Sequence, residues 1–213
     1  MGIAHLSTGE LFRQEMKRRS ALGRSVERYV THGRLVPDAL VVKVMTHRLT
    51  PGLLARGIVL DGFPRTVGQA KGLDAFLKKA KRPLDGAVYL DCSASVLVAR
   101  LSGRQVCGRC GAIYHVRRMP PKRSGVCDHC GGTLVVRPDD QVATIKKRLA
   151  IDHAESKQLL AYYRGQRVLF PINGNGTGAQ AFARAMKLFR REDWLAATGP
   201  ELHDATLAAR VRR

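Results

Sequence analysis

The sequence predicts an α/β protein built around a parallel sheet, with a small metal-binding insert in its second half. Residues 58–60 form a continuous apolar run between a glycine and Asp61, which is typical of a short strand buried on both faces. Residues 86–91, GAVYLD, indicate a second strand, and a helical pattern separates the two. Two C-x-x-C pairs, at 107–110 and 127–130, lie outside this alternation and indicate the insert. We therefore expect a sheet with helices on both faces.

The composition excludes membrane and secreted proteins. With 213 residues the chain is long enough to bury a sizeable core as one domain with a small insert. It contains no run of about 18 apolar residues. Residues 1–10, MGIAHLSTGE, lack the basic and apolar regions of a signal peptide. We expect a cytoplasmic protein without a membrane partner.

The net charge of +20, from 37 basic and 17 acidic residues, is extreme for a soluble enzyme. Such an excess favours polyanionic ligands, and both nucleotides and nucleic acid meet that description. Because the charges are spread along the chain rather than blocked, a generally basic surface without a specific partner is the alternative for much of the excess.

The first 50 residues predict a strand and three helices. Residues 3–6 form a short apolar stub that predicts a strand, and the capping box STGE at 7–10 opens the first helix. A second helix is expected over 22–32, because a glycine follows it as a typical C-cap residue. A third helix begins at a proline and runs over 37–49.

The turn after the strand 58–60 is the first candidate ligand site. Asp61 lies at the carboxyl end of this strand, which is the edge where ligands bind in open α/β sheets. Gly62, Pro64 and Arg65 supply a tight backbone, a rigid turn and a fixed cation there. By residue type alone, a solvated loop between strand and helix is an equal alternative.

The later elements are predicted from caps and periodicity. They are a helix over 66–79, a strand over 86–91, a helix capped by Ser93 and ending at 101, a long helix from about 144 to 164, a strand over 168–172 and a closing helix over 178–190.

Four of the five cysteines form two pairs with a 16-residue gap, Cys107/Cys110 and Cys127/Cys130. Two adjacent thiolates span one edge of a tetrahedron and a second pair closes the opposite edge, so the spacing predicts a four-coordinate structural zinc site. A redox pair or free thiols is the alternative. His129 lies between two ligands, but the spacing favours Cys130 over it.

The insert at 103–138 is strongly basic, with Asp128 as its one acidic residue. Its basic residues are Arg104, Arg109, Arg117, Arg118, Lys122, Arg123 and Arg137. A zinc ribbon with basic flanks is also typical of nucleic-acid modules. A non-catalytic basic zinc-ribbon protein that binds nucleotides or nucleic acid is therefore one hypothesis for this chain.

Three segments together resemble the adenylate kinase family of nucleoside monophosphate kinases: STGELFR at 7–13, GRLVPD at 33–38 and DGFPRT at 61–66. They occur in the family's order and spacing, and the resemblance extends from about residue 3 to about residue 188. The four-cysteine insert resembles the long, zinc-bearing lid of the bacterial type.

The resemblance implies a P-loop-kinase-like fold and a division into regions. These are a core at 1–102 with an AMP-binding region at about 7–36, a zinc-binding lid at 103–138, a continued core at 139–190, and a tail at 191–213 without an assigned role.

The resemblance also implies which residues bind AMP. Thr8 would lie near the base, Arg13 and Arg65 would bind the phosphate, and Gln69 would pair with the adenine edge, where an amide offers a donor and an acceptor. The implied AMP-binding residues are Thr8, Arg13, Arg34, Leu35, Val36, Gly62, Phe63, Pro64, Arg65, Gln69, Arg137 and Arg148.

For ATP and the transfer step, the resemblance implies a set of arginines around the phosphates and Asp61 holding Mg²⁺ through bound waters. The implied catalytic residues are Arg65, Arg100, Arg104, Arg137, Arg148 and Asp61. The implied ATP-binding residues are Arg100, Arg104, Ile113, Tyr114 and Pro171. The implied reaction is ATP + AMP ⇌ 2 ADP, with zinc in the lid, Mg²⁺ with ATP, and no nucleic-acid partner.

One family feature is missing from the sequence. The family has a strand, a GxPGxGKGT phosphate loop and a helix before the STG segment, whereas the 213 residues contain no G-x-x-x-x-G-K-[ST] motif. We therefore expect an N-terminally truncated form that is poorly folded and inactive, and a monomer when the unit is restored. Because the missing strand is central in the family, the strands 58–61 and 86–91 are expected to have unpaired inner edges.

Two observations favour the adenylate kinase hypothesis over the others. DGFPRT, Thr8 and Gln69 have no role in a nucleic-acid module. A kinase for UMP or CMP is disfavoured because Thr8 and Thr66 match the AMP-using pattern and those kinases lack the long zinc lid.

Overall fold

A computed structural model describes residues 3–194 and 209–211. The chain divides into two compact units. Unit 1 consists of the described residues of Met1–Glu27, Val36–Cys92 and Asp152–Arg213, and unit 2 of Arg28–Leu35 and Ser93–Ile151. Unit 2 extends beyond the insert at 103–138, so the division into units does not test the expected boundaries of the lid. These boundaries stay a prediction.

Strands and helices alternate over much of the described chain, as expected for an α/β protein, apart from a run of four helices near the start and a run of three strands in the second half. The strands are β1 (Ala4–Ser7), β2 (Ile58–Asp61), β3 (Leu84–Asp91), β4 (Arg104–Cys107), β5 (Ile113–His115), β6 (Leu134–Val135), β7 (Leu169–Asn173) and β8 (Ala209–Val211). The helices are α1 (Thr8–Lys17), α2 (Ala21–Val30), α3 (Asp38–Arg48), α4 (Pro51–Arg56), α5 (Val67–Lys79), α6 (Ala94–Ser102), α7 (Val142–Gly165) and α8 (Gly178–Arg191). A short 3₁₀ turn covers Pro138–Asp140.

The sheet of unit 1 has the strand order β1-β2-β8-β3-β7. β1 is parallel to β2, with Ser7 opposite Asp61, and β3 is parallel to β7. The apolar residues Ile58 and Leu60 of β2 are fully buried, as the continuous apolar run predicted. These two parallel pairs, with helices on both faces, confirm the predicted α/β class. Their register brings the carboxyl ends of β1 and β2 together.

β8 lies between β2 and β3 and runs antiparallel to both. Arg210 is paired with Val59 on one side and with Gly86 on the other. The expectation of unpaired inner edges is therefore wrong for Val59, Leu60, Leu84 and Gly86, because the C-terminal strand supplies backbone donors and acceptors to both strands there. This pairing removes part of the reason for expecting a poorly folded chain. Of the tail at 191–213, residues 195–208 and 212–213 lie outside the described part of the chain.

α1 begins at the cap that the sequence predicted, Ser7, and α5 begins one residue after the expected start at 66, with Thr66 as its cap. The hydroxyl of Ser7 accepts a hydrogen bond from the backbone N–H of Glu10 at 3.5 Å, and the hydroxyl of Thr66 accepts one from Gln69 at 3.1 Å. α4 was not predicted; Thr50 caps it in the same way, and a proline occupies its first turn.

The core of unit 1 lies where α3 and α5 pack together. Met45 on α3 and Leu73 and Leu77 on α5 are among its most deeply buried side chains, and burying each stabilises the fold by about 1.5–3 kcal/mol. A Cβ atom on Gly72 would lie 2.8 Å from Cγ1 of Val42, so this glycine allows the two helices to approach closely.

Unit 2 contains an antiparallel ribbon with the strand order β5-β4-β6. The ribbon surrounds a small buried cluster of Cys107, Tyr114, Cys127 and Leu134. Among the described residues, every helix of either unit is too short or too polar to span a lipid bilayer.

Candidate active site and metal centre

The turn that follows β2 is fixed by Thr8, the first residue of α1. The Thr8 hydroxyl donates a hydrogen bond to the carbonyl oxygen of Gly62 at 2.9 Å. Gly62 has a φ of +66°, and a Cβ atom there would lie 3.0 Å from Nη2 of Arg65 and 3.2 Å from Oγ1 of Thr8. A glycine is therefore needed for the turn to bring Thr8 and Arg65 to the same carbonyl.

Arg65 points its guanidinium along this turn. Its Nε donates to the carbonyl oxygen of Gly62 at 3.0 Å, and its Nη1 lies 3.6 Å from Oδ1 of Asp152 on α7. The side chain is 36% exposed, so it is accessible to a ligand from solvent. The arrangement leaves a fixed cation at the carboxyl end of β2, with a carboxylate beside it that no sequence pattern indicated.

Gln69, in the first turn of α5, is 2% exposed, and each of the two polar atoms of its side-chain amide makes one hydrogen bond. Its Oε1 accepts from the backbone N–H of Arg65 at 2.9 Å, and its Nε2 donates to Oδ1 of Asp38 at 2.9 Å. The Thr66 hydroxyl donates to the other oxygen of Asp38 at 2.7 Å. Asp38 thus joins the turn and the start of α5, although the sequence analysis did not single it out.

The other residues of unit 1 that the resemblance implies to bind nucleotides lie on α1, on β7, and in the loops before α3 and after β2. Arg13 lies on α1, with its Nη1 3.1 Å from where a Cβ atom of Gly9 would be. Phe63 and Val36 are buried, and the peptide between Phe63 and Pro64 is cis. Pro171 is exposed on β7.

Asp61, the predicted Mg²⁺ ligand, has an unforeseen neighbour on β1. Its Oδ2 lies 3.5 Å from Nε2 of His5. The carboxylate is partly exposed at the end of its strand, and such an oxygen donor suits the hard cation Mg²⁺.

In unit 2, two arginines are held by two consecutive acids. Nε and Nη2 of Arg104 donate to the two carboxylate oxygens of Asp140 at 2.7 and 2.5 Å. Nη1 of Arg148 donates to Oδ2 of Asp139 at 2.9 Å. Both pairs fix a guanidinium that the resemblance implies to be a phosphate ligand. Arg100 and Arg137 of this unit are partly buried, Leu35 is half-buried and Arg34 is exposed.

The four cysteines of the two pairs form one cluster in which all the sulfur atoms lie within 4.8 Å of one another. Sγ of Cys107 is 3.4 Å from Sγ of Cys130, and Sγ of Cys110 is 3.5 Å from Sγ of Cys127. Four thiolates around a zinc ion at about 2.3 Å stand about 3.8 Å apart, so these spacings fit tetrahedral zinc. Among the described residues, the cluster consists of these four cysteines and does not include His129.

The two halves of the cluster repeat the same backbone turn. The N–H of Gly111 donates to the carbonyl oxygen of Cys107 at 3.0 Å, and the N–H of Gly131 donates to that of Cys127 at 2.9 Å. Both glycines have positive φ, +78° and +69°, which explains why each pair is followed by a glycine. With four protein ligands, the site has no open position for catalysis and is a structural one.

Tyr114, one of the predicted ATP-binding residues, belongs to the buried group in the ribbon that also contains Cys107 and Cys127. Tyr114 is 5% exposed, whereas Ile113 beside it is 48% exposed. The Tyr114 hydroxyl accepts a hydrogen bond from the backbone N–H of Asp128 at 2.7 Å and lies 3.5 Å from Sγ of Cys127.

The environment of Cys127 favours its thiolate. Burial raises the pKa of this thiol, but hydrogen bonds from the Tyr114 hydroxyl and from the backbone N–H groups of His129 and Cys130 together lower it to about 6. The backbone N–H of Cys110 likewise lowers the pKa of Cys107. Because the thiolate is the form that binds metal, these contacts prepare the cluster for zinc.

The model of the family described as "Adenylate kinase" matches residues 1–168. The chain belongs to the adenylate kinase family. It is 40% identical to the adenylate kinase of Thermosipho melanesiensis over 90% of this chain and 89% of that protein. It is 43% identical to the adenylate kinase of Moorella thermoacetica over 82% and 81%, and 39% identical to that of Clostridium tetani over 84% and 83%.

Membership of the adenylate kinase family makes the chain a nucleoside monophosphate kinase. The match runs through both units, including the cysteine cluster, so the basic ribbon is part of the kinase. This finding favours the kinase over the hypothesis of a non-catalytic zinc-ribbon protein.

Proposed function

We propose that the chain is an adenylate kinase in the strict sense, with AMP as acceptor and ATP as donor in the reaction ATP + AMP ⇌ 2 ADP. The observation that carries the proposal is the turn after β2, where Thr8 and Arg65 both bond to the carbonyl oxygen of Gly62. The turn holds a cation at the ligand-binding edge of the sheet. The relatives that match this chain carry the name adenylate kinase.

The AMP half of the site uses residues of unit 1. Arg65 and Arg13 bind the phosphate by charge-assisted hydrogen bonds, which are about twice as strong as neutral ones. Thr8 lies near the base, and Gln69 pairs with the adenine edge. The exposure of the Arg65 guanidinium supports this assignment, since a phosphate reaches it without rearrangement of the core.

The transfer step uses the arginines of unit 2. Phosphoryl transfer requires the protein mainly to place two phosphates in line and to neutralise the charge that develops between them. Arg100, Arg104, Arg137 and Arg148 supply that charge, and the acids that hold Arg104 and Arg148 keep their guanidinium planes oriented. Bound with ATP, Mg²⁺ neutralises the phosphate oxygens, and Asp61 is the residue that would hold it through water.

The experiment is an assay of ADP formation from ATP and AMP. Because the 213 residues contain no phosphate-loop motif, the assay compares the chain with a version that carries an added strand, GxPGxGKGT loop and helix. We expect ADP only from the version with the loop, and a fall in kcat/KM for AMP of about 100-fold on Arg65→Ala. Near-normal turnover by Arg65→Ala would show that the turn after β2 does not bind the acceptor.

We also propose that the protein works in the cytoplasm as a monomer. Four cysteines held as thiolates around zinc suit a reducing compartment, where disulfides do not form. Sedimentation equilibrium of the zinc-loaded version that carries the added strand, loop and helix tests the second part, and a stable dimer would contradict it.

A further inference from the structure

The amide of Gln69 belongs to a closed hydrogen-bond network that links three segments of unit 1. Asp38, at the start of α3, accepts from Nε2 of Gln69 at 2.9 Å and from the Thr66 hydroxyl at 2.7 Å. That hydroxyl in turn accepts from the backbone N–H of Gln69 at 3.1 Å. The backbone N–H of Arg65 donates to Oε1 of Gln69 at 2.9 Å, which closes the network.

The network fixes which way the amide faces. An ionised carboxylate only accepts hydrogen bonds and a backbone N–H only donates them, so Nε2 must face Asp38 and Oε1 must face Arg65. In the reverse orientation, oxygen would face oxygen and N–H would face N–H. At 2% exposure the amide has almost no contact with water that would compensate for those losses.

The sequence at the start of α5 is adapted to this contact. A Cβ atom on Gly68 would lie 2.4 Å from Oδ2 of Asp38, so any other residue would push the carboxylate away. Thr66 serves as the cap of α5 and as a donor to Asp38 with one hydroxyl. The close approach of Asp38 to the start of α5 therefore depends on the absence of a side chain at Gly68 and on the hydroxyl of Thr66.

We propose that Asp38 is a specificity-determining positioning residue for the base of the acceptor nucleotide. By holding Nε2, it leaves Gln69 with one free N–H and one free lone pair in a fixed order. Adenine presents an acceptor, N1, beside a donor, the 6-amino group, and this order matches. Hypoxanthine presents N1–H beside O6 and requires the reversed amide. A purine with that edge is therefore rejected.

This proposal rests on the proposed contact between Gln69 and the base of AMP. Because the amide is covered in this structure, a base gains access to it by displacing neighbouring side chains. We expect the amide to keep its orientation when a base binds, since the hydrogen bonds that fix it, to Asp38 and from the backbone of Arg65, are made within unit 1.

The test is calorimetric binding of AMP and of IMP, which have the same sugar and phosphate, to the 213-residue chain. In Asp38→Asn the new amide can donate to Oε1 of a reversed Gln69, so reversal then disrupts one contact instead of two. We expect the ratio of AMP affinity to IMP affinity to fall about tenfold, which corresponds to one buried hydrogen bond. Asp38→Ala removes the acceptor without adding a donor, and its ratio should lie between those of Asp38→Asn and the unaltered chain.

The control is Asp74→Asn, which makes the same charge change on α5 but at a carboxylate bonded to Tyr162 and Gln166. It should leave the ratio unchanged. An unchanged ratio in folded Asp38→Asn, or in Asp38→Ala if Asp38→Asn does not fold, overturns the proposal. Failure of the unaltered chain to bind AMP overturns the proposed function instead. Equal affinities for AMP and IMP in the unaltered chain overturn the proposed role of Asp38 but do not contradict the proposed function.

Discussion

Asp140 accepts two hydrogen bonds from one guanidinium, that of Arg104, and its own side chain is completely buried. Arg104 is 20% exposed, so little water competes for this pair. Asp140 lies in the 3₁₀ turn before α7, whereas Arg104 begins β4. The pair therefore ties the first strand of the ribbon to the turn that leads out of it.

We expect Asp140→Asn to lower the free energy of unfolding of unit 2 by about 2–3 kcal/mol, because the substitution leaves a largely buried guanidinium without a counter-charge. Urea unfolding of the zinc-loaded chain measures this loss. Asp139→Asn is the matched control, since the carboxylate of Asp139 accepts a single hydrogen bond from Arg148, and the loss of stability should be about 1 kcal/mol. Equal losses in the two variants would contradict the special role of the Arg104 pair.

The cysteine cluster predicts one zinc ion per chain. Cys130→Ala leaves three ligands, and we expect it to lose the metal and several kcal/mol of stability in the ribbon, because metal binding there is coupled to folding. Elemental analysis of protein purified without chelator gives the zinc content. Cys92→Ala is the control, since Cys92 lies outside the four-cysteine cluster and its replacement should leave the zinc content unchanged. Absence of zinc from the unaltered protein would disprove the site.

The local features of the fold could be predicted from sequence because they depend on neighbours in the chain. The apolar run at 58–60 predicted β2, the capping box that begins at Ser7 predicted the start of α1, and the cysteine spacing predicted the zinc cluster. Each rests on residues a few positions apart, or on a spacing that allows one geometry.

The partners of the site residues could not be predicted in this way. Asp38 meets Gln69 across 31 positions, and Arg65 meets Asp152 through a helix that begins far along the chain. A lone aspartate at a helix start reads as a cap or a solvated charge. The pairing of β8 could not be predicted either, because the mixed-charge tail shows no strand pattern that would place it between β2 and β3.

β8 should stabilise unit 1. Removal of residues 209–213 deletes the backbone partners of Val59 and Gly86, and we expect the free energy of unfolding to fall by roughly 2–4 kcal/mol, at about 1 kcal/mol for each backbone hydrogen bond. Removal of 212–213 alone, which keeps the strand, is the control. If both truncations unfold at the same urea concentration, β8 does not contribute to the sheet.

Asp152 should weaken phosphate binding at Arg65. Its carboxylate lies 3.6 Å from Nη1 of Arg65 and is 37% exposed, so it competes with a phosphate and repels it. We expect Asp152→Asn to tighten AMP binding about threefold at low salt, with a smaller gain at high salt because the interaction is screened. Glu155→Gln, the same charge change one turn further along α7, should have little effect. Weaker AMP binding by Asp152→Asn would show that the carboxylate positions Arg65 for the phosphate instead.

The most direct measurement is calorimetric binding of AMP to the 213-residue chain and to Arg65→Ala, with Arg56→Ala on α4 as the control for loss of a surface cation. We expect one AMP per chain, and a loss of affinity of about 10- to 100-fold in Arg65→Ala, since a charge-assisted hydrogen bond contributes about 1.5–3 kcal/mol. Arg56→Ala should bind AMP as the unaltered chain does. Equal AMP affinity in Arg65→Ala and the unaltered chain would contradict the placement of the acceptor phosphate at the turn after β2.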